Sequence, residues 1–263
     1  MYINKVKEKL KRGEKVIGMF MHEQSRDLVE ILGLLGYDYL FLDAEHGALT
    51  PNEFLPLVVA AERRNIVPMI RTSSKDAKEI LRYLELGAMG LIYPDIKTAE
   101  EANDMIQASK YYPQGNRGMA TMRAADYGIT MSKAECRRMA NEQIMCIMQI
   151  ESKEGFQNRR EIMSVPGVDA IIFGPNDFSQ DIGIPGEIAN SRVQDAIKTI
   201  LDDGKELGVP VMCAVSGPEH IAEVVYSGAS LLFVDYKTLL VSASKPYVEQ
   251  MQIANKQLLH HIQ

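Results

Sequence analysis

Cysteine is scarce. The three residues Cys136, Cys146 and Cys213 are odd in number, widely spaced and form no CxxC pair. A disulfide framework and a zinc site of paired thiolates are thereby disfavoured, and a reducing cytoplasm is the expected compartment. No excess of positive charge is present. Lys and Arg total 29 against 35 Asp and Glu, a net charge of -6. That balance argues against a nucleic-acid partner. No run of apolar residues approaches the ~18 needed for a membrane helix, so no membrane partner is expected. The first twenty residues carry basic side chains but no apolar stretch of signal-peptide length, and Glu8 and Glu14 argue against an organellar leader. They read as a short amphipathic helix entering a strand. Gly and Pro, at 19 and 11, are too few for a low-complexity chain.

Against these absences, 46% of the 263 residues are hydrophobic and 24% charged, enough for a large buried core. Short apolar runs alternate with helical patterns. The runs are Val16 to Phe20, Tyr39 to Asp43, Val67 to Arg71, Gly90 to Pro94, Ile144 to Ile150, Ala170 to Gly174, Val209 to Val215 and Leu231 to Asp235. Most are solidly apolar, as parallel strands buried on both faces are. Capping boxes are expected at Thr50-Pro51-Asn52-Glu53 and Thr98-Ala99-Glu100-Glu101, and helix C-caps at Gly87 and Gly208. Eight strand–helix units over this length predict a (β/α)8 TIM barrel, one domain spanning 1–263. A doubly wound sheet is the alternative. It usually carries a glycine-rich turn after its first strand, and VIGMFMHEQSRD has none. The stretch Tyr111 to Tyr127 is irregular. The helical pattern from Lys245 onward exceeds what one closing helix needs, so residues 245–263 are expected to pack on a neighbouring subunit.

In such a barrel the reactive groups stand at the C-terminal ends of the strands. Those ends supply Asp43, Glu45 and His46, then Arg71, then Gln149 and Glu151, then Gly174, Pro175, Asn176 and Asp177. Strands one, seven and eight offer less, including Met21 and His22 at the first and Asp235 and Lys237 at the last. Glu151 and Asp177, on neighbouring strands, are hard oxygen donors suited to Mg2+ or Mn2+. Singly, each equally suits a helix cap or an ion pair. His46, beside two carboxylates, suits a general base. Arg71 suits a developing oxyanion, or a salt bridge to Asp43 or Glu45. Backbone N–H groups at the short helical turn Asp177 to Gln180 could hold a substrate carboxylate. Arg117 and Arg123 in the irregular stretch are candidates for a second substrate anion, or plain surface charge. Lys237 could in principle form a Schiff base.

The blocks FLDAEHG (41–47), VPMIR (67–71), GAMGLIYPDIKTAEEA (87–102), YPQGNRG (112–118), MQIESKEGFQN (148–158) and VDAIIFGPNDFSQDIG (168–183) stand in a familiar order. In them the chain resembles the class II pyruvate aldolases of the HpcH/HpaI type, which act on 4-hydroxy-2-oxoheptanedioate, 2-dehydro-3-deoxyglucarate and 2-keto-3-deoxy-rhamnonate. The resemblance implies cleavage of a 4-hydroxy-2-oxo acid to pyruvate and an aldehyde. Glu151 and Asp177 would hold a divalent metal (Mg2+ or Mn2+, with Co2+ possible), and Gln149 would lie near it. The 2-oxo acid would chelate that metal, and the enolate of pyruvate would form there. Arg71 would stabilise the enolate, and His46, supported by Asp43, would handle the proton of the aldol hydroxyl. It also implies a homo-oligomer, a hexamer built as a trimer of dimers with the last helix exchanged, and Glu85 as a support across the subunit contact. Phe20 replaces the family's tryptophan and Lys237 an expected acid. An acyl-CoA lyase of the citrate-lyase β type and a catalytically silent metabolite-binding barrel are the alternatives.

Overall fold

The computed structural model describes residues 3–262, with the side chains of residues 3–258. The strands are β1 (Val16–Met21), β2 (Tyr39–Asp43), β3 (Val67–Arg71), β4 (Gly90–Tyr93), β5 (Met145–Ile150), β6 (Ala170–Phe173), β7 (Val211–Ala214) and β8 (Leu231–Asp235). Each pairs in parallel with the next, and β8 returns to β1, so the sheet closes on itself with helices outside. This is the (β/α)8 barrel. The seventh strand is shorter than its apolar run. Pro210 has no N–H to give a ladder, and the Val209 N–H turns back to Gly204 O at 2.8 Å.

Helix boundaries follow local chemistry. Ahead of the helix Pro51–Arg64, the Glu53 carboxylate accepts from the Thr50 N–H at 2.7 Å, completing the expected capping box. The second box is only half formed. Thr98 accepts from the Glu101 N–H at 3.1 Å, but the Glu101 carboxylate turns to the Lys97 N–H at 2.7 Å. Gly87 and Gly208 do cap helices in left-handed backbone, at φ 115° and 69°. The last helix, Tyr236–Ile262, begins directly after β8 rather than at Lys245.

Two apolar layers position the site. Alternate residues of the strands, among them Tyr39, Phe41, Met69, Ile92 and Ile147, fill the lumen. Each such side chain stabilises the fold by about 1.5–3 kcal/mol. The other face of each strand packs under the helices. The helix Lys5–Lys11 closes the N-terminal end with Val6. Because side chains alternate, continuing the lumen-facing series past Tyr39–Phe41, Val67–Met69 and Met145–Ile147 leads to Asp43, Arg71 and Gln149. The apolar lumen therefore forms a dry floor beneath a polar layer.

Candidate active site

The polar layer is built on one buried pair. Asp43 is 0% exposed, and the register sets it opposite Arg71 on the adjacent strand. The guanidinium forks onto the carboxylate, Nε to Oδ1 at 2.9 Å and NH2 to Oδ2 at 2.8 Å. Burial alone would push Asp43 up, but these bonds hold its carboxyl below the usual range. The cation also lies 5.5 Å and 5.8 Å from the ring centres of Phe20 and Phe41. Arg71 Nε is 3.1 Å from Glu45 Oε2, and NH1 is 3.5 Å from Gln149 Oε1. Both salt bridges weighed for Arg71 thus exist together, with the guanidinium between cleft-lining Glu45 and Gln149.

Glu151 follows β5 and is 7% exposed. Its Oε1 accepts from the Asp95 backbone N–H at 2.8 Å, and its Oε2 accepts from the Gln149 amide. Asp95 makes that contact from left-handed backbone, φ 49°, a costly conformation for a residue with a Cβ. Burial pushes the Glu151 carboxyl up to about 7, and the nearby charges of Glu45 and Asp177 add to it. Glu45 is likewise raised by burial. Asp177 stands in the first turn of the helix Pro175–Asp181, which starts two residues earlier than the sequence suggested, with proline in its first turn. Gly174 precedes it. A methyl group there would lie 2.6 Å from Glu151 Oε2 and 2.8 Å from its Cβ. Gly174→Ala is therefore expected to displace Glu151 and lower turnover roughly 100-fold, with a much smaller effect on thermal stability. Steady-state kinetics beside a thermal melt check this; unchanged turnover would show that the Glu151 position is not needed.

Of these groups, Glu45, Asp95, Glu151 and Asp177 open on a cleft of about 460 Å³, which His46, Lys97, Ser152, Gln180 and Asp181 also line. No three His, Cys, Asp or Glu side chains converge as a complete ligand set among the described residues. Two carboxylates on an open face nevertheless fit a hard cation, which keeps water and substrate oxygens in its remaining positions. The upward push on Glu151 comes first from burial and then from the charges of Glu45 and Asp177, and a bound cation would offset both.

The structure departs from the sequence reading at two places. His46 is 59% exposed in its side chain, and its Nε2 lies 3.8 Å from Glu45 rather than on Asp43. The imidazole that meets Asp43 is His22, with Nε2 3.1 Å from Oδ2. The period-two alternation Gly18, Phe20, His22 was the available signal. Arg117 does not line the cleft of its own protomer. It is 8% exposed, lies over the Tyr111 ring at 4.6 Å, and shares a small cavity with Glu85. Arg123 forms an ion pair with Glu62 and donates to Leu86 O at 3.0 Å. Neither arginine is placed for a substrate anion within this protomer. Asp95 escaped the sequence reading because it acts through its backbone.

Comparison with known proteins identifies the family. The sequence profile described as HpcH/HpaI aldolase/citrate lyase matches residues 16–239. A hydroxypyruvate/pyruvate aldolase of Sagittula stellata is 34% identical over 208 residues, 79% of this chain and 81% of its own. A 2-keto-3-deoxy-L-rhamnonate aldolase of Escherichia coli is 30% identical over 242 residues, 91% of this chain and 89% of its own. The crystal structure of an HpcH/HpaI aldolase from Desulfitobacterium hafniense DCB-2 superposes with a TM-score of 0.88 at 28% identity, over 94% of this chain and 96% of that one. With the profile spanning every strand of the barrel and the likeness running through nearly the whole chain, this protein belongs to the HpcH/HpaI aldolase/citrate lyase family.

Proposed function

We infer that the chain is a divalent-metal-dependent carbon–carbon lyase, which cleaves a 4-hydroxy-2-oxo acid to pyruvate and an aldehyde and runs the reverse condensation. The observation that carries this reading is the buried Arg71 cation, forked onto Asp43 and set between the cleft carboxylate Glu45 and Gln149. Glu151 and Asp177 would hold Mg2+ or Mn2+ (Co2+ has the same donor preference here), and the cation would supply Lewis-acid polarisation of the 2-oxo group. Arg71 offers a fixed positive charge to the enolate oxygen as the bond breaks. Asp43 keeps its fork in one plane. His46, on the rim beside Glu45, is placed to exchange the proton of the aldol hydroxyl with solvent. The first-turn N–H groups after Gly174 and Pro175, at Asn176 and Asp177, lack intrahelical partners and suit the substrate carboxylate.

The lining of the cleft weighs against an acyl-CoA substrate. Glu45, Asp95, Glu151, Asp177 and Asp181 outnumber Lys97 and His46 there, so CoA phosphates would meet like charge. Oligomerisation belongs to the same reading. On the helix Tyr236–Ile262, Leu240, Val241, Tyr247, Val248, Met251 and Leu258 are exposed in the single chain. An apolar face of that extent suits exchange with a second copy, as in a hexamer, and would bring partner residues such as Glu85 to the contact. No helix among the described residues is long and apolar enough to cross a membrane. The three free cysteines suit a cytoplasmic enzyme.

The test is proton NMR of pyruvate in D2O with the purified protein, with Mg2+ or Mn2+ and again with chelator. Metal-dependent loss of the methyl signal beyond a protein-free control is expected. No exchange with either metal would overturn the pyruvate reading and turn attention to CoA thioesters, then to a silent barrel.

A further inference from the structure

Asp43 is saturated. Its Oδ1 accepts from Arg71 Nε at 2.9 Å and from the Glu45 backbone N–H at 3.0 Å. Its Oδ2 accepts from Arg71 NH2 at 2.8 Å and meets His22 Nε2 at 3.1 Å. Three donated hydrogen bonds and the edge of the His22 ring therefore surround a carboxylate with no solvent exposure, and His22 is the one neighbour that owes nothing to Arg71 or the backbone. The imidazole is itself held. Its side chain is 13% exposed, and its ring meets Phe20 edge-on at 4.5 Å between centres. Its Nδ1 is buried and has no hydrogen-bond partner. A neighbouring ionised carboxylate fixes the proton of a neutral imidazole on the facing nitrogen, here Nε2.

We propose that His22 is a positioning residue of this site: with Nε2 set 3.1 Å from Asp43 Oδ2 it backs the carboxylate in the plane of the Arg71 fork, and so holds the guanidinium in place. This rests on the role given above to Arg71. The groups that face the ring are Asp43 from β2, Arg71 from β3, and Asp235 and Lys237 from the end of β8 and the helix after it. Burial, Lys237 and Arg71 favour the neutral ring, while Asp43 and Asp235 favour the cation, and the net direction is toward neutral. The ring stays uncharged at neutral pH. In acid it becomes a second cation on Asp43 and competes with Arg71 for Oδ2. His22 thereby adds an acid limb to the pH profile.

The experiment is the pyruvate methyl-exchange rate in D2O for wild type, His22→Gln and His22→Leu, each as the full chain with Mn2+. Gln keeps an N–H that can reach Asp43; Leu has none. His22→Leu is expected to lower kcat about tenfold with little change in KM, the size found when partners that orient a reacting group are lost. His22→Gln should restore kcat to within about threefold of wild type and leave only the acid limb that protonation of Glu151 sets, less steep than that of wild type. A wild-type rate and profile in His22→Leu would overturn the proposal, as would a His22→Gln variant as impaired as His22→Leu. If His22→Leu does not fold, an acid limb in His22→Gln as steep as that of wild type, with none of it lost beyond the Glu151 limb, overturns it. Absence of exchange in the wild type would instead sink the function proposed for the chain, so the two failures are distinct.

Discussion

Glu151→Gln is expected to lower metal-dependent exchange of pyruvate about 10³-fold and to erase any thermal stabilisation by Mn2+. The substitution keeps the volume and the contact with the Asp95 N–H, removes the charge, and replaces the oxygen that accepts from the Gln149 amide. Lewis-acid stabilisation of a developing oxyanion supplies several kcal/mol, and each 1.36 kcal/mol is a factor of ten in rate. Asp177→Ala should follow it in direction. The same carboxylate gives a pH dependence whose sign is fixed. Its folded value of about 7 lies above the ordinary carboxylate range. Between those two values the folded state binds more protons than the unfolded chain. The metal-free protein therefore loses stability as pH rises through that window. A divalent cation needs the ionised form, so the melting-temperature gain on adding Mn2+ should grow from about pH 5 to about pH 8. Both trends should vanish in Glu151→Gln. A thermal melt series with and without Mn2+ tests them together, and a metal-induced shift that persists in the variant would remove Glu151 from the ligand set.

Arg71 carries the second large effect. Arg71→Lys retains the charge but not the fork, and only a planar fork can meet both oxygens of Asp43 while reaching Glu45 and Gln149. Turnover is expected to fall about 10²–10³-fold, the loss seen when one preorganised oxyanion donor is removed. Arg71→Met should do more harm to the fold. It strands a carboxylate that has no access to water, a loss of about 3–5 kcal/mol. The double variant Asp43→Asn/Arg71→Met removes the stranded charge and should regain much of that stability without regaining activity. Chemical denaturation beside exchange kinetics separates the two quantities. Equal activity in Arg71→Lys and wild type would mean that charge alone suffices and the fork geometry is irrelevant.

Much of this protein was legible in its sequence. Solidly apolar runs alternating with helical patterns pointed to the barrel, because a parallel strand covered on both faces has no solvent side on which to alternate. Once strand ends were located, the positional rule for barrels selected Asp43, Arg71, Gln149, Glu151 and Asp177, and the fold brings their strand ends to one mouth. These features follow from local composition and from chain order, which a sequence states directly.

Pairing at the mouth was a different matter. His46 lies three residues from Asp43 and invited the pairing, yet it faces out beside Glu45. His22 directly follows β1, 21 residues away in sequence, and takes the contact. Arg117 looked like an anion-binding loop residue and instead stacks on Tyr111 in the interior. In each case the deciding quantity was the direction of a side chain relative to the pleat or the loop, and closure of the sheet sets that direction. The charge on Glu151 is likewise a tertiary property. Its upward shift arises from burial and from Glu45 and Asp177, which only the closed barrel brings near. The sequence by itself determined which chemistry the mouth could hold. The tertiary structure alone decided which imidazole meets which carboxylate, because adjacency around a barrel is set by strand neighbours and register rather than by distance along the chain.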